Sequence, residues 1–320
     1  MPTFGYKLMA EGFSPRQLVE NARRAEEEGF DFASISDHYH PWLPEQQHSG
    51  FAWSILGAIA QATSRLRIGT GVTCPFMRYH PAIVAQAFAT VAVLAQGRAF
   101  FQVGAGERLN EHVVGVGWPS VSVRHGMLGE AIDIIRLLWE GGYQSYDGSY
   151  LVLEDARVFD LPDPLPELYV AISGPASAKV AADKGDGIVA TEPKAEAVQA
   201  WERAGGDGPR YCEVGIAWHP DSAEAGAEVA RQHMRFSAQG WKVQSELPNP
   251  VNFEAATQTV RAEDMAAATG VGPDPDNHVA VVRQFIEAGF DHITLNAINP
   301  DQEGFFRFWR EELRPRLEKL

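Results

Sequence analysis

Eight short apolar runs, each followed by a helical pattern, restrict the fold of this chain more than any other feature. Residues 3–9 read as a first strand, and Ser14-Pro15-Arg16-Gln17 then opens a helix with a capping box and a proline at the tolerated first position. Leu18, Ala22 and Ala25 give that helix its apolar stripe, and Gly29 ends it. The unit recurs, with strands expected at 31–36, 66–72 and 99–104 and helices at 50–63, 81–95 and 126–140. A small strand near 149–154 falls outside the rhythm. The second half adds strands at 168–172, 187–191, 212–218 and 292–297, helical patterns near 175–183, 194–204, 221–234 and 276–288, and a closing helix near 303–318. This alternation predicts an α/β fold, a (β/α)8 TIM barrel. Residues 236–272, with Pro248-Asn249-Pro250 and then an Ala-rich run, are too long for an ordinary connection. They read as an insertion between strands seven and eight that covers or walls the barrel mouth. No Pro/Gly/Ser-rich linker divides the chain, so residues 1–320 read as one domain; a two-domain open sheet would leave the even rhythm unexplained.

Composition narrows what such a barrel meets. With 320 residues, 45% of them hydrophobic, the chain can bury a large core. A net charge of −15 argues against nucleic acid and anionic membrane as partners and leaves a small-molecule substrate. Cys74 and Cys212 stand far apart without metal-type spacing, so a reducing cytoplasm is expected. The first residues, Met1 to Tyr6, lack the basic-then-apolar design of a signal peptide, and no stretch approaches about 18 uninterrupted apolar residues.

In parallel α/β proteins chemistry gathers at the carboxyl ends of the strands, so the residues that follow each strand are the candidates. Ser36-Asp37-His38-Tyr39-His40-Pro41-Trp42 places an imidazole, a carboxylate and an indole after strand two; a packed histidine bonded to a carbonyl fits the same residues. Gly104-Ala105-Gly106-Glu107-Arg108-Leu109-Asn110-Glu111 follows strand four and aims Glu107 and Asn110 at the same mouth, or forms a turn with a solvated carboxylate. Two packets at one end of the barrel support each other. Gly69 to Pro75 ends strand three with glycines that admit a flat ligand or simply turn the chain. Ser173-Gly174-Pro175 opens a helix after strand five, where amides and a hydroxyl can meet a phosphate or merely cap. His38 and His40, two apart, would share one strand face as in a metallohydrolase. The tops of strands five and six carry no histidine, however, and Asp291-His292 opens strand eight at the other end, so no metal is expected. No Gly-x-Ser-x-Gly elbow or Walker loop occurs.

Taken together, Ser36-Asp37-His38 with Pro41-Trp42, Gly69-Thr70-Gly71-Val72, Arg78-Tyr79-His80-Pro81-Ala82-Ile83-Val84-Ala85-Gln86-Ala87, Gly104-Ala105-Gly106-Glu107 with Leu109-Asn110-Glu111, and Gly185-Asp186-Gly187 resemble the luciferase-like flavin/deazaflavin superfamily. Within it they resemble the coenzyme F420-dependent glucose-6-phosphate dehydrogenase group. The resemblance runs from about residue 4 to 195 and resumes more weakly from about 273. It implies coenzyme F420 in the barrel mouth, exchanging a hydride at its C5 with a substrate carbon. It gives His38 the substrate hydroxyl proton, Glu107 the proton at the ring nitrogen, and Trp42 the task of holding the reacting centre. Asp37 and Asn110 would position ring or substrate. Gly71-Val72 aligns with a non-proline cis peptide beneath the ring, and Ser173 and Gly174 with the residues that meet the cofactor phosphate.

Two departures bear on the ligands that the resemblance implies. Cys74 stands where a threonine commonly bonds the ring. Lys194 matches one phosphate-binding lysine and Lys242 falls near another, but Ala268 occupies the place of the arginine. The expected substrate is therefore an alcohol, a sugar or a sugar derivative, with glucose 6-phosphate one candidate and the direction of reaction open. An FMN-dependent monooxygenase and a non-catalytic flavin or deazaflavin carrier are the competing readings, and a homodimer is the inherited expectation.

Overall fold

The computed structural model describes residues 2–320. Four strands come first, β1 (Thr3–Leu8), β2 (Phe32–Ile35), β3 (Arg67–Thr70) and β4 (Ala99–Val103). A separate antiparallel hairpin follows, β5 (Gln144–Asp147) with β6 (Val152–Ala156). The sheet resumes with β7 (Glu167–Ala171), β8 (Gly187–Ala190), β9 (Arg210–Ala217), a two-residue β10 (Gly270–Val271) and β11 (His292–Ala297). Neighbours run β9-β11-β1-β2-β3-β4-β7-β8, all parallel, and β8 pairs with β9 to close the ring. The result is the eight-stranded barrel that the alternation predicts.

Around it lie α1 (Pro15–Glu27), α2 (Ala52–Ala62), α3 (Pro81–Ala95), the single turn α4 (Arg108–Glu111), α5 (Val121–Trp139), α6 (Pro175–Lys184) and α7 (Ala195–Arg203). Ser14 caps α1 as its sequence implies, accepting from the Gln17 amide while the Gln17 side chain accepts from the Ser14 amide at 3.1 Å. Leu18, Ala22 and Ala25 are fully buried beneath it. Such burial contributes roughly 1.5–3 kcal/mol for a side chain the size of leucine. Helix α5 starts five residues ahead of the expected Gly126, because its first turn, with Val121 exposed, carries no apolar stripe to announce it.

Small residues inside the barrel make room for large ones. A methyl group at Gly5 would fall 2.1 Å from the Phe32 ring, and one at Gly69 would fall 2.1 Å from the Phe100 carbonyl oxygen. Phe32, Phe100, Tyr169 and Tyr211 therefore pack the lower barrel, with Phe100 stacked on Tyr211 at 5.4 Å. The floor is solid, and the chemistry is confined to the carboxyl end.

The excursion between strands seven and eight carries short helices, as its length implies. Helix α8 (Ala223–Met234), read from sequence as a barrel helix, contacts β9 and β10 and packs chiefly on α11 (Ala262–Ala266) of the excursion. Two further short helices, α9 (Trp241–Gln244) and α10 (Pro250–Ala256), lie between them. The helix that returns along the barrel after β9 is α12 (Pro275–Glu287). Periodicity marks a helix but not its partner, so the packing of α8 on α11 is not legible in the sequence. β10 extends β9 at Ile216 and Ala217 and pins the end of the excursion to the barrel rim. The closing helix comprises α13 (Gln302–Phe308), a π-turn over Trp309–Leu313 and α14 (Arg314–Leu317). Pro315 lacks the amide proton that a regular helix needs there, which accounts for the altered turn.

Candidate active site

Both histidine nitrogens of the strand-two packet face carboxylates. His38 Nδ1 is in ion-pair contact with Glu11 Oε1, and Nε2 lies 3.1 Å from Glu107 Oε1. Glu11 follows β1 by three residues, His38 follows β2, and Glu107 follows β4, so three strand ends converge on one ring. A neutral imidazole would turn a lone pair toward one carboxylate, whereas an imidazolium presents a proton to each. Burial by itself would lower the ring's pKa, but Glu11 and Glu107 override it and raise it to about 10. Burial likewise pushes Glu107 upward, yet the adjacent imidazolium, helped by Asn110 and Arg78, holds it below its ordinary value. Glu11 is lowered in the same way, by His38 and then by Lys7, against the opposing effect of burial. His38, expected from sequence as a base, is thus proton-loaded in this arrangement.

The surrounding bonds hold the triad in place. Asn110 accepts from the amides of Tyr39 and His40 at 2.8 and 3.0 Å and donates to Glu107 Oε1 at 2.6 Å, joining the loops after β2 and β4. Asp37 accepts from Thr73 Oγ1 at 2.8 Å on one oxygen and from Arg78 and Tyr79, both at 3.0 Å, on the other. Both residues, expected to position ring or substrate, direct their side chains into this internal network. The reason is burial: with Asp37 2% exposed and Asn110 fully enclosed, each group has to be satisfied from within the protein. Trp42 meets the His38 ring edge-on at 5.0 Å and stacks on Phe236 of the excursion at 4.6 Å. His40 uses its Nδ1 on the Leu109 carbonyl at 2.9 Å and is separate from the His38 triad.

The remaining predicted positions are more spread out. The Gly71-Val72 peptide is cis, and the Lys7 ammonium donates to the Gly71 carbonyl at 2.7 Å while pairing with Glu213 at 2.7 Å. Cys74 is buried against Gly106, and its thiol is pushed well above its ordinary value by burial and then by Glu111. It carries no thiolate character. Ser173 and Gly174 lie at the start of α6, where their amides donate to Ser177 Oγ at 3.0 and 3.3 Å. Lys194 pairs with Glu192 at 2.7 Å, and Lys242 stands exposed on α9. Neither lysine touches the triad.

Sequence reasoning overlooked Glu11, Arg78, Glu111, Lys7 and Glu213 as parts of the site. Glu11 carried the same signal as Glu107, an acid just past a strand end. Glu111 is buried beside Glu107 and Arg78; burial outweighs the guanidinium and raises it to about 8, so it holds its proton more tightly than an ordinary carboxyl.

Fold and site together define a barrel enzyme with proton-handling residues at the mouth and a cis peptide beside them. The luciferase-like monooxygenase family model matches residues 2–292, and the chain belongs to that family. It is 37% identical to the F420-dependent glucose-6-phosphate dehydrogenase of Mycobacterium avium, over 99% of this chain and 98% of that protein. It is 36% identical to the enzyme of the same name from Mycobacterium tuberculosis, with the same coverage. Among solved structures, an F420-dependent secondary alcohol dehydrogenase in complex with an F420-acetone adduct matches with a TM-score of 0.91 and 31% identity, over 99% of both chains. The coenzyme F420-dependent tetrahydromethanopterin reductase of Methanopyrus kandleri, at 22% identity and a TM-score of 0.80, shares the fold.

Proposed function

We propose that this chain is an F420-dependent oxidoreductase acting on the CH–OH group of an alcohol, a sugar or a sugar derivative. The observation that carries this reading is His38 held between Glu11 and Glu107 at the carboxyl end of the barrel. The residues suit a flat ring. Gln102 Nε2 on β4 is buried without a hydrogen-bond partner while the same side chain's oxygen lies beside Gly71, so a donor is left free for a ring carbonyl where strands three and four end. When bound, F420 supplies at its C5 the carbon that accepts or returns the hydride.

The protein's share is to place and move protons. In the reducing direction the His38 imidazolium gives a proton to the carbonyl oxygen, and Glu11 stabilises the charge that His38 carries. In the oxidising direction His38 must first release that proton before it can take one from the substrate hydroxyl. Glu107 serves the ring nitrogen, and Trp42 excludes water from the reacting carbon. Gly71, Val72 and Cys74 would hold the ring, and Ser173 and Gly174 would hold the phosphate once Ser177 yields their amides. Lys194 and Lys242 border the substrate side. Because Lys194 is paired with Glu192 and Ala268 carries no charge, uncharged substrates are favoured over glucose 6-phosphate.

The setting is inferred as well. Both cysteines are free and buried, in keeping with a reducing cytoplasm, and no helix among the described residues is long and apolar enough to cross a membrane. Ile83 and Val152, both more than half exposed, flank His80, whose Nε2 contacts the Val152 carbonyl; this apolar surface suits a homodimer.

A binding titration of F420 against FMN, joined to a spectrophotometric screen of F420 reduction with secondary alcohols, free sugars and sugar phosphates, tests the reading. Preference for F420 and turnover of at least one CH–OH substrate are expected. Tighter FMN binding with oxygen consumption would establish the monooxygenase instead, and F420 binding without turnover of any substrate would favour a carrier.

A further inference from the structure

We infer that Arg235 is a positioning residue for the reaction: by fixing Glu45 it holds Trp42 against His38 from outside the barrel mouth. The inference rests on the proposal that Trp42 and His38 flank the reacting carbon. Arg235 stands at the end of α8, is 7% exposed, pairs with Glu45 through Nη2 and donates from Nη1 to the Gln232 carbonyl at 3.1 Å. Glu45 lies in the turn Pro44–Gln46, three residues past Trp42. The same turn is held a second time, because Gln46 accepts from the Leu43 amide at 3.0 Å and donates to the His233 carbonyl at 3.1 Å.

The ring contacts complete the link. Phe236, next to Arg235 in the chain, lies parallel to Trp42 at 4.6 Å with 6° between planes, and Phe253 meets Trp42 edge-on at 5.1 Å. Stacked rings resist separation but slide with little resistance, so the stack alone does not fix where the indole sits over His38. A largely buried guanidinium is different, because losing its partner leaves an unpaired charge. A cavity of about 320 Å³, lined by Glu45, Arg231, His233, Arg235, Glu254 and Gln258, adjoins the pair. Glu45 therefore has space to swing away once its partner is lost.

The full-length protein is prepared as Arg235→Met, Arg235→Lys and Glu45→Gln. Three quantities are read: His38 titration by NMR without cofactor, assigned by the signal lost in His38→Gln; F420 affinity; and kcat and KM separately. Arg235→Met is expected to shift the His38 titration and lower kcat about ten- to a hundred-fold, as misplaced reacting groups do. F420 affinity stays unchanged, and Arg235→Lys recovers most of the loss. An unmoved His38 titration with kcat intact would overturn the inference, as would losses of kcat that merely track F420 affinity and melting temperature across all three variants. If Arg235→Met does not fold, Glu45→Gln, altered on the half-exposed side of the pair, decides by the same readouts. Should the wild type turn over no substrate with F420, the function proposal fails, yet the His38 titration still decides the clamp.

Discussion

At the residue scale, an imidazole between two buried carboxylates sets the behaviour of the site. Glu11→Gln removes the partner that raises His38 most, so the His38 pKa is expected to fall from about 10 toward its ordinary value. The pH at which alcohol oxidation reaches half its maximum should fall with it, a shift that a pH–kcat/KM profile reads directly. kcat for carbonyl reduction at neutral pH should drop by no more than roughly four-fold, because even at its ordinary value of 6.5 about a quarter of His38 still carries the proton at pH 7. Stability follows the same linkage. A group whose pKa is raised on folding stabilises the protein fully below its unfolded value of 6.5, and that contribution is lost as pH rises through about 10. Urea midpoints of wild type and His38→Gln, compared at pH 7 and pH 10, should therefore converge at the higher pH. The histidine and one carboxylate were legible from their places after strands two and four. Glu11 was not singled out, because a lone acid in a turn resembles any solvated carboxylate until the barrel closes and brings strand one beside strand two.

At the element scale, strands and helices were legible because each carries its own periodicity, and the bounds of α3 and β11 coincide with expectation. The excursion was legible only as excess length. Its role depends on contacts between distant residues, Phe236 and Phe253 against Trp42 and the Arg108 amide on the Ser245 carbonyl at 3.0 Å, and no local pattern encodes these. Phe253→Ala should cost about 3–5 kcal/mol in chemical denaturation, since Phe253 is fully buried, and should raise KM by loosening the wall. Inside the barrel, Gly69→Ala would press a methyl group into the Phe100 carbonyl. A loss of roughly 1–3 kcal/mol or more is expected, measured as a lower urea midpoint with an unchanged m-value.

At the scale of the whole molecule, a barrel with a closed aromatic floor leaves one end for chemistry, and a surface of net charge −15 does little to draw in anions. Substrate choice is the part least visible in the sequence, because it depends on which side chains of the excursion meet the ligand. The central claim is that hydride passes between a CH–OH carbon and F420 at this mouth while His38 carries the proton. Its most direct test is isotope transfer, with a secondary alcohol deuterated at the carbinol carbon incubated with the enzyme and F420 and the cofactor analysed by mass spectrometry. One deuterium in the reduced F420 is expected with the wild type, and far less with His38→Gln although F420 stays bound. Reduction of F420 without deuterium, or transfer undiminished in His38→Gln, would contradict it.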